Sequence, residues 1–119
     1  MLNNFCVNLT HSTDDPDRAT VAMVVANAAV ASGKQAMVFL SSEGVRLAVK
    51  GVSDQISEEG FQPMATLLQI FLTAGGSLWV CSPCFKKRGY TDSDLVEGAA
   101  IVEFLSNDGT GGFVLAITS

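Results

Sequence analysis

Charge is scarce in this sequence: Asp, Glu, Lys and Arg make up 16% of its 119 residues, and it holds one His, one Trp and one Tyr. Each shortage excludes something. Seven basic residues against twelve acidic ones leave a net charge of -5, which argues against nucleic acid as a partner. No apolar run reaches the roughly 18 residues of a membrane span, because Asn27 and Gly33 interrupt the longest stretches. The start, MLNNFCVNLT, lacks the basic residues and long apolar region of a signal peptide. A cytoplasmic protein is expected, in a compartment where thiols stay reduced. Three cysteines and one histidine are the whole stock of soft metal ligands, and a structural zinc site takes about four. Since Cys6 falls mid-strand, facing a core, no metal and no cofactor are expected.

Apolar residues, by contrast, are plentiful. They make up 48% of the chain and the mean hydropathy is +0.34, which is greasy for a soluble domain of this size. A buried subunit interface accounts for the excess, so a homo-oligomer is expected. The length fits one domain over residues 1–119 with a single core.

Turn residues divide the chain into short apolar units. Phe5 to Leu9 reads as a strand, and THSTDDPD as the loop after it. Asp15 can cap a helix and Pro16 can occupy its first position; Asp17 to Ser32 continue it until Gly33. That helix is apolar on nearly all sides, so it needs cover on more than one face. Gln35 to Leu40 is a second strand, Gly44 to Lys50 a short helix, and GVSDQISEEG a polar connection. After Pro63, the residues Met64, Leu67, Leu68, Phe71 and Leu72 recur at helical spacing until Gly75 and Gly76. Ser77 to Cys81 follows as a buried strand. Leu95 and Val96 are expected as a short strand, Ala99 to Leu105 as a helix and Phe113 to Ile117 as a last strand. Continuous apolar strands alternating with helices predict an α/β fold: a three-layer α/β/α sandwich on a mainly parallel sheet of about five strands. Such folds place their chemistry at the carboxyl ends of the strands, where the loops Thr10 to Asp15, Ser41 to Gly44 and Cys81 to Lys86 would emerge together.

One of those loops, VCSPCFKKRG, carries two cysteines three apart and then Lys86, Lys87 and Arg88. A helix start and nearby cations both favour a thiolate, so Cys81 or Cys84 could be a nucleophile. A CxxC pair at a strand-helix junction is also a dithiol pattern, although this one comes late in the chain. Packing alone explains Cys6 but not two thiols beside KKR. His11 could pair with a thiolate or carry a proton, or be an ordinary loop histidine beside the helix cap. Glu43 and Gly44 mark a turn whose amides could hold an anion, without a Gly-rich phosphate motif to support it. Lys86, Lys87 and Arg88 either guide an acidic partner or a sulfur anion, or are a solvated helix end.

With these pieces in place the sequence resembles the DsrE/DsrF/TusD-like family of small sulfur-relay proteins, with their DsrE-like, YchN-like fold. The likeness runs through DDPDRAT, ASGKQAMVFLSSEGVRLA, PMATLLQIFLTAGG, VCSPCFKKRG and LVEGA. Its most specific part is a strand ending in Cys81 with Arg88 and Gly89 seven and eight residues on. The resemblance implies a three-layer domain that forms trimers or hexamers. It implies that Cys81 accepts sulfur as a persulfide, with Cys84 as a resolving thiol or second sulfur site, and that sulfur-donor and sulfur-acceptor proteins are the partners. A persulfide carrier is therefore the first expectation, ahead of a dithiol oxidoreductase at Cys81 and Cys84 and of a binding module without thiol chemistry.

Overall fold

The computed structural model describes residues 4–102 and the backbone of 116–118. Five parallel strands form one sheet in the order β4-β3-β2-β1-β5: β1 (Asn4–Leu9), β2 (Gln35–Leu40), β3 (Ser77–Cys81), β4 (Ala99–Val102) and β5 (Ala116–Thr118). Helix α1 (Pro16–Ala31) joins β1 to β2, α2 (Met64–Thr73) precedes β3, and α3 (Ser82–Lys87) follows it without a break. The chain is thus an α/β domain on a parallel sheet flanked by helices.

The local causes are visible in the ends of each element. Asp15 accepts the amide of Arg18 at 3.2 Å and Pro16 opens α1, so two of the helix's first-turn requirements are met by sequence. Its small residues Ala19, Ala22, Ala26 and Ala29 are buried with Met23, which lets the helix lie close on the sheet. Asn27 Nδ2 donates to the Leu67 carbonyl at 3.1 Å and ties α1 to α2. Sheet and α2 thereby cover two flanks, while Val21 and Val25 stay 42% and 37% exposed. On the sheet, Val7 and Leu9 register with Val38 and Leu40, which register with Leu78 and Val80. All six are buried in one core with Met23, Phe71 and Phe85. Phe71 fits because Gly76 has no Cβ; one placed there would strike the phenyl ring. The alternate positions Met37, Phe39 and Trp79 are half-buried on the other face of the sheet.

Three expectations change. Residues 99–102 form strand β4 instead of a helix; Ala99 to Val102 register with Leu78 to Cys81. Pairing with the β3 edge satisfies the backbone there and overrides the weak helical preference of two alanines, aided by β-branched Ile101 and Val102. Residues 103–105 of the expected helix, and 113–115 of the expected last strand, lie outside the described residues. Leu95 makes a single antiparallel bridge with Val49 in place of a strand, closed by the Lys50 amide on the Asp94 carbonyl and the Val96 amide on the Ala48 carbonyl. The helix expected at Gly44 to Lys50 is a 3-10 helix over Ser42–Ala48, and the polar connection holds another over Ser53–Gln55.

Candidate functional site

Because the strands are parallel, the ends of β1, β2 and β3 meet at one edge of the sheet. The chain leaving β2 turns sharply there. Ser41 donates its amide to the Leu9 carbonyl at 3.1 Å and its hydroxyl to Asn8 Oδ1 at 2.8 Å. Gly44 is buried against the same carbonyl, which a Cβ would overlap. Glycine at this position serves close packing of two backbones, and no anion-binding turn is needed to explain it. Between them Ser42 takes φ = +53°, a left-handed conformation that costs a non-glycine residue on the order of 1 kcal/mol.

That strained residue faces the cysteine turn. Cys81 ends β3 and Cys84 lies in the first turn of α3, as expected, and both are half-buried. Burial by itself would raise the Cys84 thiol. The Ser42 amide and the Cys81 thiol hydrogen-bond to it, and the charges of Arg88 and Lys87 add to them, so that the thiol lies below its ordinary value. Cys6 gives the contrast: it is 3% exposed, and burial pushes its thiol up, only partly opposed by the Phe39 backbone.

Arg88 is held in place from both sides. Its Nε donates to Glu43 Oε2 at 2.8 Å and its Nη1 to the Cys84 carbonyl at 3.0 Å. The other oxygen of Glu43 accepts from Arg46 Nε at 2.7 Å, and Arg46 Nη1 donates to the Tyr90 hydroxyl at 2.7 Å. Hydrogen bonds from Arg46 and Arg88 hold the Glu43 carboxyl below the usual carboxylate range. Tyr90 in turn packs on Phe85, with ring centroids 5.2 Å apart. One carboxylate thus joins the 3-10 helix of the β2 connection to the end of α3, and fixes the position of Cys84 relative to the Ser42 amide.

The residues singled out by sequence separate into two groups. Cys81, Cys84, Glu43, Gly44, Lys87 and Arg88 come together. Lys86 lies on the other flank of α3, where it lines a cavity of about 460 Å³ with Phe85, Tyr90 and Ile101; neither cysteine lines that cavity. His11 is committed to Asp14, Nδ1 to Oδ2 at 2.7 Å. The Asp14 carboxyl stays low despite some desolvation, because the Ser12 amide and His11 bond to it. This pair organises the loop before α1. Ser42, Arg46 and Tyr90 carry no mark of the site in the sequence beyond the i, i+3 spacing of Glu43 and Arg46. Among the described residues no three His, Cys, Asp or Glu side chains gather as a metal site, and no helix is long and apolar enough to cross a membrane.

The family described as DsrE/DsrF-like matches residues 3–110, a span that contains every element of this site. The chain belongs to the DsrE/DsrF-like family. Among its relatives is the uncharacterized protein MJ0989 of Methanocaldococcus jannaschii, 31% identical over 100 residues, with 82% of each chain covered. The uncharacterized protein MK0008 of Methanopyrus kandleri is 30% identical over 86 residues, covering 71% of this chain and 67% of its own length. A longer relative, MJ0760 of Methanocaldococcus jannaschii, is 28% identical over 97 residues; the chain spans 35% of its length. The fold is that of the ychN protein from E. coli (TM-score 0.70, 20% identity, both chains fully covered). It is also similar to MTH1491 from Methanobacterium thermoautotrophicum (TM-score 0.68, 15% identity, 98% of each chain covered).

Proposed function

We propose that this DsrE/DsrF-like protein is a cytoplasmic sulfur carrier that holds sulfane sulfur as a persulfide on the Cys81/Cys84 dithiol. One observation carries the reading: a half-buried thiol pair at the carboxyl edge of the sheet, with the Cys84 thiol held below its ordinary value by an amide, its neighbouring thiol and two cations. A carrier needs a thiolate that another protein's sulfur can reach, and little further machinery. Donor and acceptor proteins are the partners on this reading, and a homo-oligomer, trimer or hexamer, is the working form. The exposed Val21 and Val25 of α1 support self-association.

The test is sulfur loading by a cysteine desulfurase and cysteine, compared between the wild type and the double variant Cys81→Ser/Cys84→Ser. The wild type should gain sulfur and the variant none. Equal loading of the two would end the proposal.

A dithiol oxidoreductase is the second reading, favoured by the hydrogen bond between the two thiols. It requires a reversible Cys81–Cys84 disulfide, so a redox titration in which both thiols remain free across the glutathione range removes it.

A further inference from the structure

The cavity beside α3 has neither cysteine in its lining, yet it shares Tyr90 with the clamp that holds the thiol turn. We infer that this cavity is a binding site for a small aromatic molecule without net charge, and that filling it steadies the Glu43 clamp through Tyr90. Neither part depends on the carrier reading.

The volume, about 460 Å³, falls in the range of about 300–1,000 Å³ usual for small-molecule sites. The apolar lining is aromatic: the Phe85 and Tyr90 rings have centroids 5.2 Å apart and planes tilted by 36°, with Ile101 of β4 beside them. A third ring placed there meets two others, a packing that stabilises beyond the area it buries. Among the polar lining groups, Lys86 and Asp92 carry opposite charges. An anion or a cation would gain from one and lose to the other. A ligand without net charge avoids that conflict, and the Ser93 hydroxyl in the lining can bond to its polar end.

Both walls are tied by their own hydrogen bonds. At the end of α3, the Tyr90 amide donates to the Phe85 carbonyl at 3.3 Å and the Gly89 amide to the Lys86 carbonyl at 2.9 Å. In the connection that follows, the Thr91 amide donates to Asp94 Oδ2 at 2.8 Å and the Asp94 amide to the Thr91 carbonyl at 2.9 Å, while Thr91 Oγ1 lies 2.9 Å from Ser93 Oγ. Walls held in this way do not swing in to fill the space, and a pre-formed site binds without the entropy loss of ordering it.

The link to the thiol turn is Tyr90. Its ring lines the cavity, its hydroxyl accepts from Arg46 Nη1 at 2.7 Å, and the Arg46 guanidinium carbon lies 5.8 Å from the ring centroid. From Arg46 the contacts run through Glu43 to Arg88 and on to the Cys84 carbonyl, at 2.7, 2.8 and 3.0 Å. A ligand shifts an arrangement only by binding one form better than another. The two forms here are Tyr90 with and without its Arg46 bond. With the bond made, the ring is fixed in the cavity wall; with it broken, the hydroxyl end is released and the wall loosens. A ligand packed on the ring favours the bonded form, and by reciprocity an intact clamp favours the ligand.

The test is a titration of the full-length protein with three one-ring probes, benzyl alcohol, benzoate and benzylamine, followed by the NMR shifts of Phe85, Tyr90 and Ile101. Benzyl alcohol should give saturable shifts at these residues with a millimolar dissociation constant, in keeping with so small a ligand, and both charged probes should bind more weakly. Ile101→Trp and, separately, Ser93→Trp at the exposed rim should fill the space and abolish the shifts at Phe85 and Tyr90. No saturable shift, shifts centred elsewhere, or binding unchanged in both filled variants overturns the site. Tighter binding of either charged probe overturns the ligand class. Glu43 does not line the cavity, so Glu43→Gln tests the link: it should bind benzyl alcohol about 5-fold more weakly, and an affinity equal to that of the wild type overturns it. None of these readouts involves sulfur, so their failure leaves the carrier reading standing, and a failure of sulfur loading leaves this site standing.

Discussion

Replacing Glu43 with Gln tests the clamp that positions the thiols. The carboxylate accepts from Arg46 at 2.7 Å and from Arg88 at 2.8 Å, and Gln keeps one acceptor but loses the charge. The Arg46 pair is about one-third exposed on both sides, whereas the Arg88 side chain is 15% exposed. Solvent-screened pairs contribute about 0.2–1 kcal/mol, so the first belongs near the bottom of that range and the second near the top. With the bond Gln retains, the net loss is about 1 kcal/mol, a fall in Tm of about 3–5 °C for a domain of this size. The pH dependence has a definite sign. Glu43 is held low in the folded state, so its contribution is fully present above the unfolded carboxylate value of about 4.3. It is lost as pH falls through the folded value. The gap in Tm between wild type and Glu43→Gln should therefore be constant near neutrality, close in acid, and narrow in about 1 M salt, where screening acts over about 3 Å. Thermal unfolding followed by circular dichroism measures it. A variant within about 1 °C of wild type at pH 7 in low salt would show that Glu43 does not hold Arg88.

Two further predictions concern backbone and burial. Gly44→Ala sets a Cβ against the Leu9 carbonyl, which as main chain cannot swing aside; a loss of about 3 kcal/mol or more is expected, read as a collapse in Tm, and a near-native Tm would contradict the close approach. Cys6, raised by burial, should resist iodoacetamide in the native protein while Cys84 reacts, and become reactive in denaturant. Equal native rates at the two residues would mean that the core around β1 opens freely or that Cys84 is not activated.

The parts of the fold that could be read from sequence were those fixed locally. Asp15 and Pro16 start α1, the run Met64 to Phe71 has one apolar face, and QAMVFL and SLWVC are apolar runs of strand length bounded by turn residues. Ala99 to Val102 was not legible, since two alanines before Ile and Val favour neither state until β3 offers an edge to pair with. The cysteine turn was found from its spacing, and so was its place at the sheet edge. What supports it was hidden. Ser42 is a serine with a glycine-like φ, which composition does not signal, and Glu43 reaches Arg88 across 45 residues of sequence. His11 stood close to the right loop but answers to Asp14; a histidine two residues past a strand carries no mark of which neighbour it will choose.

The central claim is that sulfur passes through this protein on the cysteine turn. Its most direct measurement is a single-turnover transfer with radiolabelled sulfur: a cysteine desulfurase loads the protein from labelled cysteine, the desulfurase is removed, and an acceptor thiol is added. Labelled sulfur should bind to the wild type at the dithiol and then leave with the acceptor as a persulfide, restoring the free thiols. Absence of bound label, with the desulfurase active on a control acceptor, or label that stays on the protein when the thiol is offered, would contradict it.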